Sequence, residues 1–128
     1  MSESKVILIV DDEEQHAKAL EITLHKGQYR TLRAVNGEEG LATALSAHPD
    51  LILLDIIMPG MDGITMLKKL REDVWGCKVP VILLTNLTEN QETKDWIRKG
   101  KYEYLVKSNY SLDEVMERIK SQLESVAK

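Results

Sequence analysis

The chain has 128 residues and one cysteine, and its 17 basic and 21 acidic side chains give a net charge of −4. This length fits one domain with an ordinary core, and the charge argues against direct binding to nucleic acid or to an anionic membrane. One cysteine excludes an internal disulfide and a cysteine-ligated metal cluster, and the apolar runs are too short to span a bilayer.

Short apolar runs alternate with amphipathic segments along the chain. Continuous apolar runs bounded by turn residues are typical of strands that are covered on both faces, as in parallel sheets. We therefore predict five strands: Val6 to Val10, Thr31 to Val35, Leu51 to Asp55, Val81 to Thr85 and Tyr102 to Val106.

Five helices are predicted between and after these strands. The first spans Glu13 to Lys26 and stops at Gly27, which is expected to terminate it in a left-handed conformation. The third follows Gly63. The second, fourth and fifth begin with helix-capping patterns at Asn36, Thr88 and Ser111.

Five strand–helix units in succession predict a doubly wound α/β fold with a parallel sheet. The fifth helix ends at the C-terminus, so we expect one domain over residues 1–128 with no output domain. The N-terminus has no secretion signal, which favours a cytoplasmic location.

Polar side chains stand where four of the predicted strands end. Asp11 and Asp12 follow the first strand, Asp55 and Thr85 end the third and fourth, and Lys107 follows the fifth. Because the carboxyl ends of parallel strands meet at one edge of the sheet, these side chains are expected to share it. Clustered carboxylates need a compensating charge, and Mg²⁺, which prefers hard oxygen ligands, supplies one.

The chemistry of this set suggests phosphoryl transfer. Asp55 can attack phosphorus as a carboxylate nucleophile, while Lys107 and Thr85 can bind phosphoryl oxygens. A carboxylate is already ionised at neutral pH and needs no general base. The set lacks a water-activating residue, so the acyl phosphate should last, which suits a signal better than a turnover enzyme.

Each of these residues also has a structural explanation. Asp11 and Asp12 could cap a helix, Asp55 could cap a turn, Thr85 fits any strand end, and Lys107 could be a solvated charge. Their common position favours a site. The three histidines, His16, His25 and His48, lack ligand spacing, and surface roles are expected for them.

Four segments, in this order and each at a strand end, resemble the receiver domain of bacterial response regulators. They are Ile9 to Glu13, Leu53 to Gly63, Leu83 to Thr85 and Tyr104 to Lys107. The resemblance implies a flavodoxin-like fold with strand order 2-1-3-4-5. One departure is Ser108, which follows Lys107 where the family usually has proline.

The resemblance also implies roles. Asp55 would accept phosphate from a histidine kinase or phosphotransfer protein, and Thr85 and Tyr104 would be paired switch residues. Mg²⁺, or Mn²⁺ in its place, would bind Asp12, Asp55 and the backbone carbonyl of Ile57, with Asp11 acting mainly through water.

The implied protein is a signalling receiver, which catalyses only its own phosphorylation and slow dephosphorylation. Its output would be the surface of the fourth helix, fifth strand and fifth helix, acting on a downstream protein partner. Neither nucleic acid nor a membrane is an expected partner, and the protein would be a monomer or a phosphorylation-dependent homodimer.

Two other classes of protein share part of this pattern. A phosphatase of the haloacid dehalogenase type also uses a strand-end aspartate, but it expects a second acid two residues later, where this chain has Ile57. A flavin-binding flavodoxin would share the topology. The acidic turn from Asp11 to Glu14 would, however, repel the phosphate of a flavin.

Overall fold

Strands and helices alternate regularly in the computed structural model, which describes residues 4–85, 91–107 and 110–127. The strands are β1 (Val6–Val10), β2 (Arg30–Ala34), β3 (Leu51–Asp55), β4 (Val81–Thr85) and β5 (Glu103–Val106). The helices are α1 (Glu14–Lys26), α2 (Gly37–Ala47), α3 (Gly63–Arg71), α4 (Gln91–Lys99) and α5 (Leu112–Ala127). In this part of the chain no helix is both long enough and apolar enough to cross a bilayer.

The five strands form one parallel sheet in the order β2-β1-β3-β4-β5. At its carboxyl edge Val10 pairs with Leu54, Asp55 with Leu84, and Thr85 with Val106. The ends of β1, β3, β4 and β5 therefore lie side by side. The predicted α/β fold and strand order are confirmed.

Helices cover both faces of the sheet, which explains the apolar strands. Alternate strand residues such as Leu8, Leu54 and Leu83 pack in one cluster with buried residues of α2, α3 and α4. Their neighbours, such as Ile9 and Leu53, pack in a second cluster with α1 and α5. Burying both faces fixes the strands, so the side chains at their carboxyl ends stand on a rigid edge.

Some predicted boundaries were wrong by one residue. Strand β2 begins at Arg30 instead of Thr31, because the Arg30 N–H bonds to the carbonyl of Lys5 at 2.9 Å and extends the ladder with β1. Strand β5 begins at Glu103, because the Tyr102 N–H bonds to the Ile97 carbonyl and closes the end of α4. Helix α1 begins at Glu14, since Glu13 is still extended.

The predicted left-handed glycine at the end of α1 was also wrong. Gly27 has φ −83°, and its N–H still bonds to the Thr23 carbonyl in the helical pattern. The next residue, Gln28, takes the left-handed conformation with φ 69°. Gly27 serves packing instead, because a Cβ there would lie 2.4 Å from Cε of Met116 on α5.

Two of the predicted caps are present. The Glu39 N–H donates to the side chain of Asn36 at 2.8 Å, and the Glu114 N–H donates to Oγ of Ser111 at 3.1 Å. The cap at Thr88 and the Lys107–Ser108 bond lie outside the described residues.

Candidate functional site

Three carboxyl groups meet at the carboxyl edge of the sheet. Asp11 and Asp12 directly follow β1, and Asp55 is the last residue of β3. One oxygen of each lies within 4.8 Å of one oxygen of each of the others. Asp11 and Asp55 are buried, whereas Asp12 is exposed and keeps the cluster open to solvent.

This donor set fits a small divalent cation. Burial, which Lys107 opposes and nearby Asp11 reinforces, raises the pKa of Asp55 to about 6. Holding Asp55 ionised in this space therefore has an electrostatic cost, which a cation would offset. Three carboxylate oxygens facing one space are compatible with Mg²⁺, which binds through one or two carboxylates and retains water.

Lys107 covers the cluster from the end of β5. Its N–H bonds to the Thr85 carbonyl at 2.7 Å, which places the side chain over the neighbouring strand ends. Its ammonium lies 3.3 Å from Oδ2 of Asp55 and 3.7 Å from Oδ1 of Asp11, and it also contacts the carboxylate of Glu13. Burial lowers the pKa of Lys107, but the three acids outweigh burial and raise it above its ordinary value. The site thus holds a permanent positive charge beside Asp55.

The other predicted residues lie near this charge cluster. Thr85 is 5% exposed at the end of β4, next to the strand that carries Asp55. Ile57 donates its N–H to Oδ1 of Asp55 at 3.2 Å, and its side chain is exposed. Tyr104, on β5, differs from them because it is 52% exposed.

Gly63 allows the loop after β3 to fold back against the acceptor strand. Its N–H bonds to the carbonyl of Ile56 at 2.8 Å, and a Cβ at this position would lie 2.2 Å from the carbonyl oxygen of Asp55. Such a distance excludes any side chain without movement of the backbone. The start of α3 therefore helps to fix the backbone of Asp55.

One participant was missed by the sequence reasoning. The expected surface role for His16 is wrong, because its side chain is only 19% exposed and its Nδ1 bonds to Oδ2 of Asp11. Its Nε2 bonds to the hydroxyl of Tyr110. The available signal was its position in the first turn of α1, five residues after Asp11. The contact with Tyr110 joins distant parts of the chain and could not be predicted from the local sequence.

Asp11 itself is held on both oxygens. Oδ1 accepts the N–H of Glu13 at 2.9 Å, while Oδ2 accepts from His16. Burial raises the pKa of Asp11, but these bonds and the charge of Lys107 outweigh burial and lower it below its ordinary value. The pKa values of Asp11 and Asp55 are therefore shifted in opposite directions. The surroundings stabilise the ionised form of Asp11 and disfavour that of Asp55.

Residues 7–120 match the sequence profile of the response regulator receiver domain. The chain belongs to this family. One relative is Protein PilH of Pseudomonas aeruginosa, 41% identical over 103 residues that cover 79% of this chain and 84% of that protein. Another is Response regulator PleD of Caulobacter vibrioides, 38% identical over 110 residues that cover 86% of this chain and 24% of that protein.

A similar solved structure is that of a putative response regulator from Chloroflexus aurantiacus. It has a TM-score of 0.85 and 30% identity, and the match covers 94% of this chain and 98% of that one. Several curated relatives are much longer than the match, which spans 24% of PleD and 47% of Transcriptional regulatory protein ResD of Bacillus subtilis. The shared part is the receiver domain, a phosphorylation-dependent switch of two-component signalling.

Proposed function

We propose that this receiver domain accepts a phosphoryl group on Asp55 from a histidine kinase or phosphotransfer protein, with Mg²⁺ bound beside it. The observation that supports this proposal most strongly is the placement of the Asp55 carboxylate between two other acids and the ammonium of Lys107. A nucleophile, a cation site and a fixed positive charge then occupy one edge of the sheet. These are the parts that phosphoryl transfer needs.

The transfer begins with attack of an Asp55 carboxylate oxygen on phosphorus. A new O–P bond forms while the bond from phosphorus to the donor breaks, and the donor nitrogen or oxygen leaves with the electron pair. The pKa of Asp55, about 6, leaves most of the group ionised at neutral pH. The bond from the Ile57 N–H to Oδ1 fixes the rotation of the carboxylate.

Two side chains then bind the transferred group. Lys107 reaches a phosphoryl oxygen as a point charge, because its ammonium already lies 3.3 Å from Oδ2 of Asp55. The hydroxyl of Thr85 donates to a second oxygen. Asp12, Asp55 and the carbonyl of Ile57 would hold Mg²⁺, with Asp11 acting through water. The ion would neutralise charge on the third oxygen.

The signal leaves through the surface of α4, β5 and α5. Tyr104 pairs with Leu83, two residues before Thr85, so strand alternation places Thr85 and Tyr104 on the same face of the sheet. When Thr85 moves toward the phosphoryl group, the exposed ring of Tyr104 turns inward. The change in this surface then controls a downstream protein.

The main competing function is a phosphatase that turns over substrate. Ile57 argues against it, since this exposed apolar residue stands where a second acid would be needed. The two functions differ in what remains after reaction. A receiver keeps one phosphoryl group on Asp55 and loses it slowly, whereas a phosphatase releases phosphate repeatedly.

The test is intact-mass measurement after incubation with Mg²⁺ and acetyl phosphate. We expect one phosphoryl adduct on the wild type and on Asp62→Asn, a matched change at an exposed acid that caps α3 through the Thr65 N–H. Asp55→Asn should give none. Repeated phosphate release without a lasting adduct would instead support the phosphatase.

A further inference from the structure

His16 connects the acid site to the segment that leads into α5. Its imidazole stands in the first turn of α1, with Nδ1 against Asp11 and Nε2 against Tyr110. The His16 and Tyr110 rings meet edge to face, with centroids 5.9 Å apart. Tyr110 is followed by Ser111, which caps α5 through the N–H of Glu114. A continuous polar contact therefore joins the end of β1 to the start of α5.

The chemistry of the carboxylate, the imidazole and the phenol sets the direction of these hydrogen bonds. An ionised carboxylate only accepts, so Nδ1 of His16 carries the proton and donates to Oδ2 of Asp11. In the neutral ring Nε2 then accepts from the hydroxyl of Tyr110. Burial raises the pKa of Tyr110 to about 12, with Lys107 opposing and the nearby acids adding to the rise. The phenol thus keeps the proton that it donates.

We propose that His16 is a positioning residue that fixes the Asp11 carboxylate for cation binding, and that Tyr110 holds the imidazole in the required orientation. This inference rests on the proposed Mg²⁺ site. The Glu13 N–H fixes Oδ1 of Asp11 and His16 fixes Oδ2, so the carboxylate has no freedom to turn away from the cluster. Groups that orient a metal-binding side chain in this way typically account for about 10–100-fold in metal affinity.

Affinity for Mg²⁺, measured by calorimetry on the unphosphorylated full chain, tests the proposal. His16→Met introduces an apolar side chain of similar size and removes both hydrogen bonds. We expect the dissociation constant for Mg²⁺ to rise about tenfold. In His16→Asn the amide nitrogen takes the place of Nδ1 and can still donate to Asp11. This variant should recover most of the affinity.

Two further variants test the role of Tyr110. Tyr110→Phe removes only the hydroxyl, and we expect a smaller loss of affinity than in His16→Met. Because Tyr110 acts through His16, the double variant should bind Mg²⁺ no more weakly than His16→Met alone. His25→Met is the matched control, since His25 is an exposed histidine on the same helix that bonds to Thr31 instead of an acid of the site. It should bind as the wild type does.

A purely structural role for His16 would give a different pattern. Thermal midpoints without Mg²⁺ would fall in His16→Met, while the affinity of the folded protein stayed unchanged and His16→Asn gave no recovery. That result overturns the inference even if Asp55 is phosphorylated normally. If the variants follow the expected order but no adduct forms on Asp55, the proposed function fails and the positioning role stands. Absence of Mg²⁺ binding by the wild type overturns both.

Discussion

The ammonium of Lys107 lies 3.3 Å from Oδ2 of Asp55, although the two residues stand at the ends of strands separated by β4. Lys107 is 15% exposed and Asp55 is 4% exposed, so water screens the pair little. The contact compensates part of the charge that Asp11 and Asp55 bring to the same edge. The contact therefore stabilises the folded protein even when no phosphoryl group is bound.

Removing this ammonium should destabilise the protein when no metal ion is bound. In Lys107→Met the buried carboxylates lose their cation, and we expect the free energy of unfolding at neutral pH to fall by on the order of 1–3 kcal/mol. Urea denaturation in EDTA measures this change. Lys69→Met on α3, an exposed lysine, is the control and should lose much less. Equal losses would show that the Lys107 pair contributes nothing particular.

The raised pKa of Asp55 predicts a pH-dependent stability difference in metal-free protein. The folded-state value of about 6 exceeds the ordinary value of 3.8, so the folded state binds this proton more tightly than the unfolded state does. The contribution of this group to stability therefore falls as pH rises from about 4 to about 6 and stays lower above that range.

Asp55→Asn removes this titration. The stability of this variant relative to the wild type should increase with pH across the same range, by on the order of 3 kcal/mol at neutral pH. Urea denaturation in EDTA at several pH values gives the difference, and saturating Mg²⁺ should reduce it. A difference that did not change with pH would contradict the assigned burial cost.

Substitution of Gly60, in the loop after β3, and of Gly63, the first residue of α3, should separate the effect of steric crowding from that of backbone strain. A Cβ at Gly63 meets the Asp55 carbonyl oxygen at 2.2 Å, whereas at Gly60 it meets open space but requires φ +74°. Gly60→Ala should cost about 1 kcal/mol, the typical penalty for the left-handed conformation. Gly63→Ala should cost more and should also slow phosphorylation, because it moves the backbone of Asp55. Equal stability and equal phosphorylation rates would contradict the proposed close contact.

Tyr104 should become less accessible when Asp55 is phosphorylated. The residue is 52% exposed, and the proposed switch turns its ring inward as Thr85 moves. Chemical nitration of tyrosine, followed by peptide mapping, measures this exposure before and after treatment with acetyl phosphate. Tyr102, half-buried and bonded to Arg71, is the internal control. Unchanged nitration of Tyr104 would exclude it as a switch residue.

The fold could be predicted because its causes are local. The apolar runs of β1, β3 and β4 are buried on both faces. Caps such as Asn36 and Ser111 mark the start of a helix through their own side chains. Small errors arose where a distant contact set the boundary. The bond from Arg30 to Lys5, for example, starts β2 one residue early.

The residues of the candidate site also differ in whether local sequence or a distant contact determines their place. Each strand could be recognised from the sequence by itself, and the sheet then brings its end residues to one edge. The residues that end or follow these strands are Asp11, Asp12, Asp55, Thr85 and Lys107. His16 could not be assigned, because its role depends on how α1 packs beside the start of α5. A histidine in a first helical turn is equally compatible with the surface, and its contacts with Asp11 and Tyr110 appear only in the folded chain.

In the proposed function the carboxylate of Asp55 carries the phosphoryl group. Borohydride reduction of protein treated with Mg²⁺ and acetyl phosphate, followed by peptide mapping, locates this group, because an acyl phosphate is reduced to the alcohol and marks its own position. We predict the reduced residue at position 55 and at no other carboxylate. Modification of Asp11, Asp12 or Glu13 instead, or phosphate retained on His16, would exclude Asp55 as the phosphoryl acceptor.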